Sequence, residues 1–146
     1  MEDIKTFSYI SERLSYFFRS RKNFVEVPAQ SRLSILAACE DPETVSPFIF
    51  SGVKYPLPQT GQMWLEYELL KNPDVDGVYC QTTSYRDEPN PKSGRHDKIF
   101  PMFEFESKGN LEDLKNLEKE LLDYLGFPKS VTVDYESICQ KYEMEE

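Results

Sequence analysis

Two strand-like segments separated by a long polar stretch constrain the fold most. GVYCQTTSY, at residues 77–85, is rich in β-branched and aromatic residues, and IFPMFEFE, at residues 99–106, alternates in polarity. Both patterns predict strands. A tight hairpin turn needs only about two to five residues, whereas the polar stretch between these segments runs from Arg86 to Lys98. The sequence therefore predicts two antiparallel strands joined by a long charged loop, which is either a solvated surface or a site that holds something charged.

Helical and strand-like patterns follow one another irregularly along the rest of the chain, which has 146 residues. This order predicts an α+β fold with a mainly antiparallel sheet flanked by helices, in a single domain over residues 1–146. The predicted elements are a helix over 3–22, a short strand over Phe24–Val27 ended by Pro28, a short helical piece within 31–44, a hairpin turning at Ser51-Gly52, a helix over Gln62–Leu70, a helix capped by Asn110 and ended by Gly126, and a further helix capped by Asp134.

Composition excludes several classes of function. The net charge of -9 and the pI near 4.7 disfavour a protein that binds nucleic-acid backbone non-specifically. The three cysteines are widely spaced, which suggests neither a disulfide framework nor a metal site and favours reduced thiols in a cytoplasmic protein. No apolar run approaches the length that crosses a membrane. The basic residues Arg86, Lys92, Arg95 and Lys98 nevertheless leave room for a local anion site.

Strand alternation sorts the side chains around the loop onto two faces. Arg86 and Glu88 are expected on one open face together with Phe100 and Glu104, while Phe103 and Phe105 point to a core. An aromatic ring, a guanidinium and a carboxylate on one surface suit a nucleotide, because the ring stacks on the base and the arginine clamps a phosphate. The alternative interpretation is a solvated hairpin face with a surface histidine.

Several segments carry a resemblance to a known family. SYRDE, GRHDKIF and MFEFE, all within residues 84–106, resemble motif 2 of the class II aminoacyl-tRNA synthetases, and most closely that of the aspartyl and asparaginyl group with its related asparagine synthetase. The N-terminal helix leading to NFVEVP is similar to motif 1, and PQTGQMWLE is similar to the segment that contacts the amino-acid substrate. The resemblance covers roughly residues 4–125 and implies part of the class II catalytic fold.

The resemblance implies ATP-dependent formation of an aminoacyl-adenylate, with ATP and Mg²⁺ as cofactors and aspartate or asparagine as the favoured substrate. It also implies a homodimer formed through residues 4–28. No segment resembles the anticodon-binding domain, so tRNA charging is not expected, and ammonia is an alternative acceptor. The implied residues are Arg86 for catalysis at the α-phosphate; Glu88, Arg95, His96 and Phe100 for the rest of ATP; Gln62, Glu104 and Glu40 for the amino acid; and none for a protein-held metal.

The sequence departs from the family in two ways. Nothing after Glu106 resembles the Gly-rich third motif with its ATP-binding arginine, and Pro101 lies within the return strand, where it is expected to remove a ladder donor. Three functions stay open: the N-terminal part of an amino-acid-activating ligase, a paralogue that binds ATP, an amino acid or a partner without adenylation, and a dimerising fragment without a ligand.

Overall fold

The computed structural model describes residues 3–28 and 42–142. They divide into two compact units, Met1–Lys108 and Gly109–Glu146. The predicted short helical piece falls mainly on residues 29–41, outside the described residues, and only its end is seen, as a 3₁₀ turn at Pro42–Thr44. The elements of the first unit are α1 (Ile4–Tyr16) with a π-helical turn (Phe17–Arg21), β1 (Val25–Glu26), β2 (Pro47–Phe50), β3 (Val53–Pro56), α2 (Gln62–Lys71), β4 (Gly77–Tyr85) and β5 (Ile99–Ser107); those of the second are α3 (Leu111–Leu125) and α4 (Tyr135–Tyr142).

The main sheet has three strands in the order β1-β4-β5. β4 and β5 pair antiparallel along nine residues, from Gly77 opposite Ser107 to Tyr85 opposite Ile99, as predicted. β1 runs parallel to β4, so the expectation of a mainly antiparallel sheet is wrong and the sheet is mixed. The residue pattern of a strand predicts which face is buried, but it does not specify the direction of the neighbouring strand. β2 and β3 form a separate hairpin.

One face of the main sheet packs against the end of the N-terminal helix through aromatic rings. Phe18, in the π-helical turn, lies 4.7 Å from Phe105 and 5.3 Å from Phe103 between ring centroids. Tyr79 stacks on Phe103 at 5.3 Å. Phe103 and Phe105 are half-buried and join this aromatic cluster on the predicted core face, which fixes which side chains of β5 point the other way.

The opposite face of the sheet is covered by α2 at one end. Leu65 of α2 packs against Val78 and Cys80 of β4 in a fully buried cluster. The helix begins after Gly61, where an added Cβ would lie 3.1 Å from both the Cys80 Sγ and a Glu104 oxygen. A side chain at this position would require the Cys80 or Glu104 side chain to give way by a few tenths of an ångström, and glycine permits the close approach.

Pro101 does not interrupt the ladder between β4 and β5. The Arg86 N–H donates to the Lys98 carbonyl at 2.8 Å, which makes these opposite residues a hydrogen-bonded pair. Hydrogen-bonded and non-hydrogen-bonded pairs alternate along an antiparallel ladder, so Pro101 and its partner Thr83 form a non-hydrogen-bonded pair. The missing N–H of Pro101 thus faces away from β4, and the expected loss of a ladder bond is wrong.

The second unit has the helix ends that the sequence predicts. The Asn110 side chain accepts from the backbone N–H groups of Glu112 and Asp113, and the Asp113 carboxylate accepts from the Asn110 N–H, which completes a capping box. Gly126 ends α3 in the left-handed conformation, with φ of 87°. Within residues 3–28 and 42–142, none of the helices has the length and apolarity that crossing a membrane requires.

Candidate functional site

Arg86 and Phe100 form the centre of the candidate site. Arg86 follows the last residue of β4, and Phe100 is the second residue of β5. The Arg86 Cζ lies 5.5 Å from the centroid of the Phe100 ring, so the two side chains share one face of the sheet, as the alternation predicts. This distance is typical of a cation–π contact. The Arg86 guanidinium and the Phe100 ring therefore lie together on this face, and the guanidinium supplies a positive charge beside the ring.

A buried serine holds the arginine from the other side. The Arg86 Nε donates to the Ser84 Oγ at 3.3 Å, and the Ser84 hydroxyl donates to the Gln59 carbonyl at 2.8 Å. Ser84 has no solvent exposure, whereas Arg86 is exposed. Strand alternation puts Ser84 on the same face as Arg86, but the sequence gives no signal for this role, because the acceptor that fixes the serine lies 25 residues earlier in the chain.

The loop between the strands brings two of its predicted site residues together. The His96 Nδ1 lies 2.7 Å from a Glu88 carboxylate oxygen. Arg95 is exposed, and its N–H, like that of His96, donates to the Lys92 carbonyl at 3.0 Å. The loop is thus a turned segment beside Arg86 in which His96 contacts Glu88 and Arg95 presents an exposed cation.

Ion pairing also anchors the base of this loop. The Lys98 Nζ donates to Asp87 at 3.1 Å, and the Ser46 hydroxyl donates to the other Asp87 oxygen at 3.2 Å. The hydrogen bond from Lys98, followed by that from Ser46, lowers the pKa of Asp87. The Asp87 N–H in turn donates to the Thr44 carbonyl at 2.9 Å, so three segments of the chain meet next to Arg86.

A second group of predicted residues surrounds the start of α2. Glu104 accepts a hydrogen bond from the Gly61 N–H at 2.8 Å and another from the Thr60 hydroxyl. The Gln62 side chain donates to Glu66 at 2.8 Å. Gln62 and Glu104 therefore lie at one corner of the sheet, but the Glu104 carboxylate is also a structural anchor for the segment that leads into α2.

Burial and like charges perturb the neighbours of Glu104. Burial, reinforced by the charges of Glu66 and Glu104, raises the pKa of Glu106. Burial, again with Glu104 nearby, raises the pKa of the Cys80 thiol to about 12. Cys80 is thus an inert thiol at neutral pH, and the corner of the sheet carries a negative potential. The sequence reasoning did not identify Glu66 and Glu106 as members of this group.

The two groups lie side by side on one face of the sheet. Phe100 and Glu104 are opposite Ser84 and Cys80, so they are four residues apart along β5, which corresponds to about 13 Å along a strand. The segment from Gln59 to Gln62 runs past both groups, because it contacts Ser84 at one end and Glu104 at the other. Glu40, the remaining predicted site residue, lies outside the described residues.

The described residues do not form a site for a protein-held magnesium ion. Within residues 3–28 and 42–142, no three His, Cys, Asp or Glu side chains are grouped so that they could hold a metal.

The fold of this chain is similar to one part of the class II aminoacyl-tRNA synthetases. No family model matches the sequence, and a search of curated proteins found no match. Similarity appears in solved structures, of which the asparaginyl-tRNA synthetase from Pyrococcus horikoshii, complexed with asparaginyl-adenylate, has a TM-score of 0.66 and 22% identity over 80% of this chain.

Two further structures are similar. The Entamoeba histolytica asparaginyl-tRNA synthetase, also in complex with asparaginyl-adenylate, has a TM-score of 0.59 and 20% identity over 91% of this chain. A putative aspartyl-tRNA synthetase from Leishmania major Friedlin has a TM-score of 0.56 and 20% identity over 94% of it. This chain spans only 25% or 26% of the length of these three proteins. The resemblance found in the sequence is therefore confirmed as a likeness of fold to one part of these synthetases.

Proposed function

We propose that the chain takes part in ATP-dependent activation of an amino acid, as a portion of a class II synthetase-like or asparagine synthetase-like ligase acting in the cytoplasm. The observation that carries this proposal is the oriented pair of Arg86 and Phe100, four positions along β5 from Glu104. A cation beside an aromatic ring suits a nucleotide, and a carboxylate at the neighbouring corner suits an ammonium group.

In the proposed reaction, a carboxylate oxygen of the amino acid attacks the α-phosphorus of ATP. The new bond joins that oxygen to phosphorus, and the bond to the bridging oxygen of pyrophosphate breaks. Negative charge develops on the α-phosphate oxygens, and Arg86 stabilises it through two parallel N–H donors. Phe100 stacks on adenine, Glu88 contacts its amino group, and Arg95 and His96 reach the outer phosphates. Mg²⁺ arrives with the ATP phosphates in this proposal.

The amino acid occupies the corner of the sheet in this proposal. Gln62 contacts the substrate, Glu104 accepts from its ammonium group, and Glu40 is proposed to contribute from outside the described residues. Like charges repel, so Glu66 and Glu106 disfavour a substrate with a second carboxylate. This repulsion favours asparagine over aspartate as the substrate. Two synthetases of similar fold are in complex with asparaginyl-adenylate, which supports the same choice.

A second candidate is a paralogue that binds ATP without completing adenylation. The observation that favours it is that Glu88 and His96 contact each other at 2.7 Å, so two of the residues proposed for ATP are not set in place for catalysis before ATP binds. Binding of ATP would have to separate them. An exposed pair of this kind is worth on the order of 1 kcal/mol or less, so the pair lowers affinity without preventing binding.

We further propose a homodimer formed through residues 4–28. α1 exposes apolar side chains, with Ile4 at 79%, Phe7 at 42% and Ile10 at 41% exposure. Phe7 and Ile10 also border a groove of about 530 Å³ that continues onto Pro101 and Phe103 of β5. Exposed apolar surface next to a groove is typical of a protein interface, and a second copy of α1 would cover it.

The test of the main proposal is amino-acid-dependent exchange of pyrophosphate into ATP, with asparagine and aspartate compared. We expect Arg86→Ala to lower kcat for exchange about 100-fold, as for the loss of one oriented transition-state donor. The matched control is Lys71→Ala, which removes a cation 5.7 Å from an aromatic ring on α2 and should leave exchange unchanged. Absence of exchange, combined with ATP-dependent thermal stabilisation that Arg86→Ala abolishes, would establish the second candidate instead.

A further inference from the structure

We propose that Ser84 is a positioning residue for Arg86, and this inference rests on the proposed role of Arg86 in amino-acid activation. Ser84 is wholly buried in β4 and lies directly opposite Phe100. It does not reach the surface where a substrate would bind. It can therefore act on the reaction only through its neighbours, above all through Arg86, whose Nε–H donates to its hydroxyl.

The directions of its two hydrogen bonds allow the Ser84 hydroxyl to hold the Arg86 side chain in place. A serine hydroxyl has one proton and two lone pairs. The proton is directed to the Gln59 carbonyl at 2.8 Å, so the lone pairs are available to the Arg86 Nε at 3.3 Å. Phe100 limits the guanidinium on another side. With Nε engaged, the terminal nitrogens of Arg86 are left to bind an anion.

The same hydroxyl links the two groups of the candidate site. Gln59 is itself buried and donates from its side chain to the Thr44 hydroxyl at 2.7 Å, which fixes the carbonyl that Ser84 contacts. Two residues along the chain, the Gly61 N–H contacts Glu104. Ser84 therefore sets the position of the phosphate-binding arginine relative to the segment that carries the amino-acid contacts, and such positioning contributes directly to rate.

The alternative role for Ser84 is purely structural, as a buried hydroxyl that satisfies the Gln59 carbonyl. Both roles predict some loss of stability on Ser84→Ala, so stability alone does not separate them. They differ at the Arg86 Nε–H, which changes its environment only if the serine holds it. A nitrogen-15 NMR signal of this group, assigned by its loss in Arg86→Ala, provides a readout that is independent of catalysis.

The experiment compares Ser84→Ala with Ser84→Thr, which keeps the hydroxyl, and with Thr82→Val as the matched control. Thr82 lies on the same face of β4 opposite Met102, and valine replaces its hydroxyl with a methyl group of similar size. We expect Ser84→Ala to shift and broaden the Arg86 Nε–H signal and to lower kcat for pyrophosphate exchange about 10- to 100-fold, with KM for the amino acid within about twofold. Ser84→Thr should recover most of kcat, and Thr82→Val should change neither readout.

The outcomes separate this inference from the proposed function. An unchanged Arg86 signal in Ser84→Ala would overturn the positioning role, whatever the exchange rate. If the Arg86 signal shifts in Ser84→Ala but the wild-type chain performs no pyrophosphate exchange, the contact between Ser84 and Arg86 is supported. The proposed function then fails, and the catalytic role of Ser84 fails with it. Should Ser84→Ala not fold, Ser84→Cys keeps a similar volume with a weak hydrogen-bonding group, and an unchanged Arg86 signal there would refute the proposal equally.

Discussion

Replacement of Glu104 by glutamine tests whether this carboxylate anchors the start of α2. Glu104 accepts from the Gly61 N–H at 2.8 Å and from the Thr60 hydroxyl. Glutamine keeps one acceptor oxygen but replaces the other with an NH₂ group, which cannot accept. One donor at the first turn of α2 therefore loses its partner in a half-buried position.

The magnitude follows from three effects. Loss of a hydrogen bond to a charged acceptor costs about 1.5–3 kcal/mol, and loss of a negative charge at a helix N-terminus costs about 0.3–1 kcal/mol. Relief of repulsion from Glu106 returns on the order of 0.5 kcal/mol, the scale of a partly exposed charge pair. The net destabilisation is about 1.3–3.5 kcal/mol, which corresponds to a Tm lower by about 4–12 °C for a chain of this size.

The assay is thermal and urea unfolding of wild type, Glu104→Gln and Glu118→Gln, the last being an exposed glutamate of α3 that serves as the control. A double-mutant cycle with Thr60→Val isolates the contact, because the two changes should be less than additive if Thr60 and Glu104 act together. An unchanged or higher Tm for Glu104→Gln would refute the anchoring role. Strict additivity with Thr60→Val would refute the contact between the two side chains.

Two further predictions concern the same unit. Glu106→Gln should raise the free energy of unfolding at about pH 7, because burial and the charges of Glu66 and Glu104 raise the pKa of Glu106. A group with a raised folded pKa contributes stability below its unfolded pKa and loses it as pH rises through the folded value, so the gain should vanish near pH 4; a gain that grows in acid would contradict this sign. Phe7→Asp should convert a dimer to a monomer in sedimentation velocity, while Leu70→Asp, at an 82% exposed position of α2, should not; a wild-type monomer would exclude the proposed dimer.

Local sequence signals predicted those features that depend on neighbouring residues. The bounds of β4 and the cap residues of α3 follow from strand bias, Asn110 and Gly126, and they appear as predicted. Alternation also placed Arg86 and Phe100 on one face. The features that sequence reasoning missed depend on distant partners: the Glu104 carboxylate contacts Gly61, 43 residues earlier in the chain, and the parallel pairing of β1 joins Val25 to Val78. Nothing in the local pattern encodes either partner.

The register between β4 and β5 decides whether Pro101 removes a ladder hydrogen bond. In an antiparallel ladder, every second residue directs its N–H away from the neighbouring strand. Proline at such a position removes no ladder bond, whereas one residue earlier or later it would remove one. Because Pro101 faces outward, Phe100 and Met102 occupy the hydrogen-bonded pairs opposite Ser84 and Thr82. The register that accommodates the proline is thus the one that places Phe100 opposite Ser84, and a shift by one residue would move Phe100 to the other face and dismantle the pair with Arg86.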